Sequence, residues 1–258
     1  MTLTVELTRQ YEEDGYIVVE NLFSREEVDR LGRRIDEVCA GKTDFPDREI
    51  EWEPGVTDAG VPPPRDMRYI RKVHNGVFHD QVFRDFAGDP RILDVAEALI
   101  GHDIKLFGDQ LFIKPPGGIE KTYHQDSPYF KIEPMALVSG WIAVDDVTEE
   151  NGCVRVIAGS HKLGPQPHSD VWMVGTRKDM KIPDRLIDRG RERLITMKAG
   201  SVSFHHSLLM HASAANHSAA FRRGYAFHYM SAQSRWTGDP AEKPEYLLLR
   251  GREYPGCV

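Results

Sequence analysis

The sequence is poor in cysteine, in long apolar runs and in excess positive charge. Its three cysteines, Cys39, Cys153 and Cys257, lie far apart and form no C-x-x-C pair. That spacing excludes a cysteine-held zinc cluster and argues against a disulfide framework. A reducing, cytoplasmic compartment is the expectation. No apolar run approaches the roughly 18 residues of a membrane-spanning helix, so no membrane partner is expected. The opening Met1-Thr-Leu-Thr-Val-Glu6 lacks the basic and apolar regions of a signal peptide. The closing Tyr254-Pro-Gly-Cys-Val258 is neither a Ser-Lys-Leu address nor a prenylation box. Lysine and arginine number 33 against 40 aspartates and glutamates, a formal charge of −7, which speaks against a nucleic-acid partner. Internal repeats and low-complexity tracts are missing, and no Pro/Gly/Ser linker splits the chain. The expectation is one domain over residues 1–258. Nothing in the sequence sets the oligomeric state.

What is present is an ordinary folded composition, with 40% hydrophobic and 28% charged residues in 258. The first half reads as helices. Residues 5–14 carry apolar Leu7 and Tyr11 one turn apart and stop at Gly15, which predicts a short helix with a glycine cap. Tyr16–Val19 predicts a strand. Ser24 and Glu27 form a capping box, flanked by Phe23 and Val28 as a staple, and the following helix gathers Val28, Leu31, Ile35 and Val38 on one face. Asp89-Pro90 opens another helix that Gly101 closes. From Ile104 onward the pattern turns to short apolar or alternating runs: 104–114, 137–144, 154–157, 194–197, 201–204 and 224–230. Turn clusters such as Pro115-Pro-Gly-Gly118 separate them. Helices followed by many short strands predict a mainly β chain, a sandwich or jelly roll with the N-terminal helices packed outside.

Eleven histidines supply candidate metal ligands. His124-Gln-Asp126 places an imidazole and a carboxylate two residues apart. On a strand the two would share a face. With a distant histidine they would form the two-histidine, one-carboxylate set that suits non-haem Fe(II) and leaves positions open. Chance alone yields about two H-x-[DE] matches at this composition, and the sequence holds two. The second, His168-Ser-Asp170, sits among turn residues and reads as a surface loop.

Context separates the first pair from chance. Asp14-Gly-Tyr-Ile-Val-Val19, Asp109-Gln-Leu-Phe-Ile-Lys-Pro-Pro116, Tyr123-His-Gln-Asp126, Trp141-Ile-Ala-Val-Asp-Asp146, Glu150-Asn-Gly-Cys153, Gly159-Ser-His161, His211-Ala-Ser213 and Phe221-Arg222 follow in that order. In order and spacing they resemble the phytanoyl-CoA dioxygenase family of Fe(II)- and 2-oxoglutarate-dependent oxygenases. The resemblance implies a double-stranded β-helix (cupin-like) core. It implies iron ligands at His124, Asp126 and His211, with 2-oxoglutarate and O2 as cosubstrates. It makes Arg222 the partner of the far carboxylate of 2-oxoglutarate, with Ser213 adding a hydroxyl. A planar guanidinium suits that grip because it pairs a carboxylate through two parallel hydrogen bonds. Arg223 would face the other way by strand alternation. Gln110, Trp141 and Lys72 match family positions near the cosubstrate.

The implied activity is hydroxylation, or another oxidation, of an unactivated C–H bond of a small organic molecule, with release of succinate and CO2. Family relatives that halogenate replace the carboxylate ligand by a small residue, and here Asp126 stands in that position. Two alternatives remain at this point: a cupin-type metal-binding isomerase, and a non-catalytic barrel that does not use 2-oxoglutarate. His205 and His206 rival His211 by residue type, and the His-Ala-Ser context favours His211. Residues 41–77 and 165–191 read as lid or substrate loops. They carry Trp52, Arg65, Arg68, Tyr69, Trp172, Met173, Arg177 and Lys178.

Overall fold

A computed structural model describes residues 3–54, 56, 63–174 and 177–258. Five helices come early: α1 (Val5–Asp14), α2 (Arg25–Cys39), α3 (Gly76–His79), α4 (Gln81–Ala87) and α5 (Pro90–Ile100). The strands in chain order are β1 (Tyr16–Val19), β2 (Ile50–Trp52), β3 (Ile70–His74), β4 (Ile104–Lys114), β5 (Lys121–His124), β6 (Ile132–Glu133), β7 (Val138–Ala143) and β8 (Val154–Ile157). They continue with β9 (Asp170–Val174), β10 (Arg177–Lys181), β11 (Glu192–Ile195), β12 (Val202–His206), β13 (His211–Ser213), β14 (Arg222–Ser231), β15 (Arg235–Trp236) and β16 (Leu247–Arg250).

Two antiparallel sheets face one another. The larger runs β1-β12-β7-β14-β4-β3-β2, with β16 also on β4, and the smaller runs β11-β8-β13-β5. This is the expected jelly roll. Side chains alternate along each strand, and β14 shows the consequence. Tyr225, Phe227 and Tyr229 point to the outer face of the large sheet and are fully buried. They share a core with Val28, Leu31, Ile35 and Val38 of α2 and Ile92 of α5. Each such aromatic contributes about 1.5–3 kcal/mol by leaving water. Arg222, Ala226 and His228, two residues apart from one another or in multiples of two, point the opposite way, into the space between the sheets.

The N-terminal punctuation holds. Gly15 ends α1 at φ 83° with its N–H on the Tyr11 carbonyl. Ser24 and Glu27 close both halves of the capping box of α2. Strand β4 covers 104–114 as expected. Among their described residues, the two segments expected as loops also hold strands; residues 55, 57–62, 175 and 176 lie outside the described residues. Residues 41–77 contain β2 and β3, which extend the large sheet beyond β4. Residues 165–191 contain the β9–β10 hairpin. The side chains of Trp172 and Arg177 lie outside the described residues.

Candidate metal centre and cosubstrate pocket

Strands β5 and β13 pair so that His124 and His211 stand directly opposite each other. Their ring centroids are 4.2 Å apart. Asp126 does not share a strand face with His124. Strand β5 ends at His124, and Asp126 sits beyond it in helical conformation at the start of a short 3-10 turn. The turn, rather than strand alternation, brings the carboxylate round, because the backbone N–H of Asp126 is tied to the Ser207 carbonyl at 2.9 Å. Asp126 Oδ1 then lies 3.6 Å from His211 Nε2 and 4.0 Å from His124 Nε2. The three ligand atoms all fall within 4.8 Å of one another, the one such triad among the described residues.

Both imidazoles are fixed in the tautomer a metal needs. His124 Nδ1 is 2.8 Å from the Thr122 carbonyl, and His211 Nδ1 is 3.0 Å from the Leu209 carbonyl. A carbonyl only accepts, so each Nδ1 carries the proton and each Nε2 keeps its lone pair. Burial lowers the His211 imidazole to about 4 and His124 well below its ordinary value, so both are neutral at pH 7. Burial raises the Asp126 carboxyl, but His211, His205 and His228 outweigh it and hold the group well below the usual carboxylate range. Two neutral imidazoles and a carboxylate, convergent and buried, form a donor set that fits Fe(II).

The triad opens into a cavity of about 350 Å³ between the sheets. At its far end Arg222 is buried, its guanidinium 5.4 Å from the Trp141 ring. Arg222 Nη2 donates to the Gly152 carbonyl at 3.1 Å, and its Nε is buried without a hydrogen-bond partner. Lys114 Nζ donates to Ser213 Oγ at 2.9 Å and to the Ala214 carbonyl. Burial pulls Lys114 well below its ordinary value, with the Arg222 and Arg71 cations adding to the effect. Burial lowers Arg222 to about 10, which leaves it charged at pH 7. A buried guanidinium with an unused N–H, beside an amine that holds the Ser213 hydroxyl, fits the carboxylate end of a dianion. Arg223 takes the other side of β14 and pairs with Asp145 at 2.7 Å and Asp36 at 2.6 Å.

The remaining expected residues also reach the cavity. Gln110 and Lys72 line it from β4 and β3, with Lys72 Nζ 5.1 Å from the Phe112 ring. His205 lines the cavity, whereas His206 turns away toward His161 and Tyr11. Several participants escaped the sequence. Lys114 lies in the quoted Lys-Pro-Pro block, yet only the fold shows it facing Ser213. His228 carries no motif in the sequence, and the fold sets it against Ser139. His168, expected in a surface loop, accepts the Gln125 N–H at 2.9 Å and so braces the residue between two members of the triad.

The chain is similar to several known proteins. A family profile described as Phytanoyl-CoA dioxygenase (PhyH) matches residues 11–224. The peroxisomal phytanoyl-CoA dioxygenase of Homo sapiens is 30% identical over 241 residues, covering 91% of this chain and 70% of that protein. A probable alpha-ketoglutarate-dependent hypophosphite dioxygenase of Stutzerimonas stutzeri is 25% identical, covering 89% of this chain and 79% of its own. EctD from S. alaskensis with bound Fe superposes with a TM-score of 0.76 at 25% identity, covering 99% of this chain and 87% of that one. The same protein with 2-oxoglutarate and 5-hydroxyectoine gives 0.74 at 25% identity, covering 98% and 85%. The fold and the triad define a non-haem iron dioxygenase that depends on 2-oxoglutarate. The chain belongs to the phytanoyl-CoA dioxygenase family.

Proposed function

We propose that this chain is an Fe(II)- and 2-oxoglutarate-dependent hydroxylase of a small organic molecule, acting as one domain. His124 Nε2, His211 Nε2 and Asp126 Oδ1 hold the iron. Arg222 and Ser213 grip the far carboxylate of 2-oxoglutarate, Lys114 holds the Ser213 hydroxyl, and Trp141 supports the guanidinium. The observation that carries this reading is the conjunction of the buried triad with the Arg222 Nε left unsatisfied in the same cavity. A cupin that bound only a metal would have no use for a buried arginine with an unsatisfied N–H. Iron with 2-oxoglutarate and dioxygen supplies the oxidising power, and succinate and CO2 are released as a C–H bond of the substrate is oxidised. The protein's own part is to fix the metal, orient the dicarboxylate and keep water away.

A cavity of about 350 Å³ is at the small end of ligand pockets, and 2-oxoglutarate takes part of it. The remaining space suits a small molecule with an apolar body. Phe112, Tyr129 and Phe130 offer apolar walls, while Lys121 paired with Asp179, and Lys72 at 3.8 Å from Glu51, line it as polar, charge-balanced groups. The segments 41–77 and 165–191 serve as substrate-determining walls. In support, they contribute Arg71, Lys72 and Asp179 to the cavity lining. No helix among the described residues is long and apolar enough to cross a membrane. The three free cysteines support a cytoplasmic place for the enzyme. The test is a metabolite screen for substrate-stimulated succinate formation from 2-oxoglutarate with added Fe(II). Iron uptake without any succinate would favour the isomerase reading, and no iron uptake would favour a scaffold.

A further inference from the structure

Behind the triad, three polar side chains form a row across the large sheet. His205 on β12 stands opposite Ser139 on β7, and Ser139 stands opposite His228 on β14. All three face the cavity. Ser139 Oγ lies 2.7 Å from Asp126 Oδ2 and 2.8 Å from His228 Nδ1. An ionised carboxylate accepts and never donates, so the Ser139 hydroxyl gives its proton to Oδ2. Its lone pair then takes the Nδ1–H of His228, which fixes that imidazole's tautomer. His205 Nε2 approaches the same carboxylate oxygen at 3.3 Å. Every one of these contacts falls on Oδ2, while Oδ1 is the oxygen turned toward His124 and His211.

We propose that Ser139, oriented by His228, is a positioning residue that occupies Asp126 Oδ2 and so leaves the carboxylate to ligate metal through Oδ1 alone. A carboxylate with both oxygens loose can take two positions on a metal. Here the second position is needed by the cosubstrate, which also chelates. Outer partners of this kind are worth about 10- to 100-fold in metal affinity. The inference rests on the ligand set proposed above.

Co(II) alone, titrated into the metal-free full chain, reads the ligand set without turnover. Calorimetry gives its affinity and visible absorption gives its coordination, and 2-oxoglutarate is then titrated into the Co(II)-loaded protein. Ser139→Ala and His228→Leu are expected to weaken Co(II) about 10- to 100-fold, change its absorption and weaken 2-oxoglutarate as well. His228→Asn, whose amide keeps a donor near the Nδ1 position, is expected to stay close to the wild type. Should Ser139→Ala fail to fold, the contrast between His228→Asn and His228→Leu decides alone. Wild-type affinity, spectrum and 2-oxoglutarate binding in Ser139→Ala or His228→Leu would overturn the proposal. A wild-type protein that binds no Co(II) would instead overturn the ligand set itself.

Discussion

Single side chains divide the site's labour cleanly enough to be tested one at a time. His124, Asp126 and His211 lie outside the apolar core that the large sheet and its helices build. Replacing any one by alanine is therefore expected to abolish iron binding and turnover while moving the unfolding midpoint little. Metal analysis alongside thermal melting checks both halves. A His211→Ala protein that keeps iron, together with a His205→Ala protein that loses it, would reassign the ligand. Adjacent arginines offer a sharper contrast. Arg222→Lys keeps the charge but loses the fork that two parallel hydrogen bonds require. The expected loss is about 2 kcal/mol in 2-oxoglutarate binding, roughly a thirtyfold higher requirement. Arg223→Lys disturbs the pairs with Asp36 and Asp145 and the bond to the Gly32 carbonyl, all on the far side of the strand, so it should leave the cosubstrate dependence unchanged.

At the level of elements, what the sequence disclosed depended on how local the cause was. The capping box of α2, the glycine stop of α1 and the apolar run of β4 are written in neighbouring residues, and the structure repeats them. Strand β14 begins at Arg222, two residues before its expected start, because polar Arg222 and Arg223 hide the pairing that continues to Lys114. The polar β9–β10 hairpin carries no clean alternation, so its sequence reads as loop. Asp126 depends on a turn braced by Ser207 and His168, residues far along the chain. Ser139 with His228 and Lys114 with Ser213 depend on strand register, which no local pattern records. Register also exposes a point of fragility. A Cβ on Gly224 of β14 would lie 1.8 Å from Trp141 Cζ2. Gly224→Ala must displace the tryptophan that sits beside Arg222, at a stability cost of about 1–3 kcal/mol. The same change is expected to weaken 2-oxoglutarate binding and spare metal binding, since neither β5 nor β13 moves. Equal losses of both ligands in parallel titrations would contradict that separation.

The whole molecule sets an acidic chain of net charge −7 around a cavity in which buried, charged Arg222 keeps an Nε without a partner. Ligands that bring negative charge inside should therefore stabilise the fold. At a hundredfold excess over its dissociation constant, a ligand adds about 2.7 kcal/mol, which is roughly 5–10 °C for a chain of this size. Mn(II) with 2-oxoglutarate under anaerobic conditions should give such a shift, and Arg222→Lys should reduce it at the same 2-oxoglutarate concentration. Protons act in the opposite sense. Burial lowers His206 and His211 to about 4, and it lowers His124 and His228 as well. The unfolded chain therefore binds more protons than the folded one between the ordinary histidine value of about 6.5 and about 4. This stabilisation is complete above about 6.5 and is lost as the pH falls toward 4. His206 shows the cost in geometry as well as in burial, since its Nδ1 accepts the Leu208 N–H at 3.0 Å and would have to surrender that bond on protonation. Metal-free protein unfolded by urea at a series of pH values should lose stability steadily from pH 6.5 to 4. His206→Gln should flatten part of the slope without touching the metal site. A stability that holds level across that interval would show that the buried imidazoles are already protonated in the folded chain, and the neutral, metal-ready tautomers argued for His124 and His211 would fall with it.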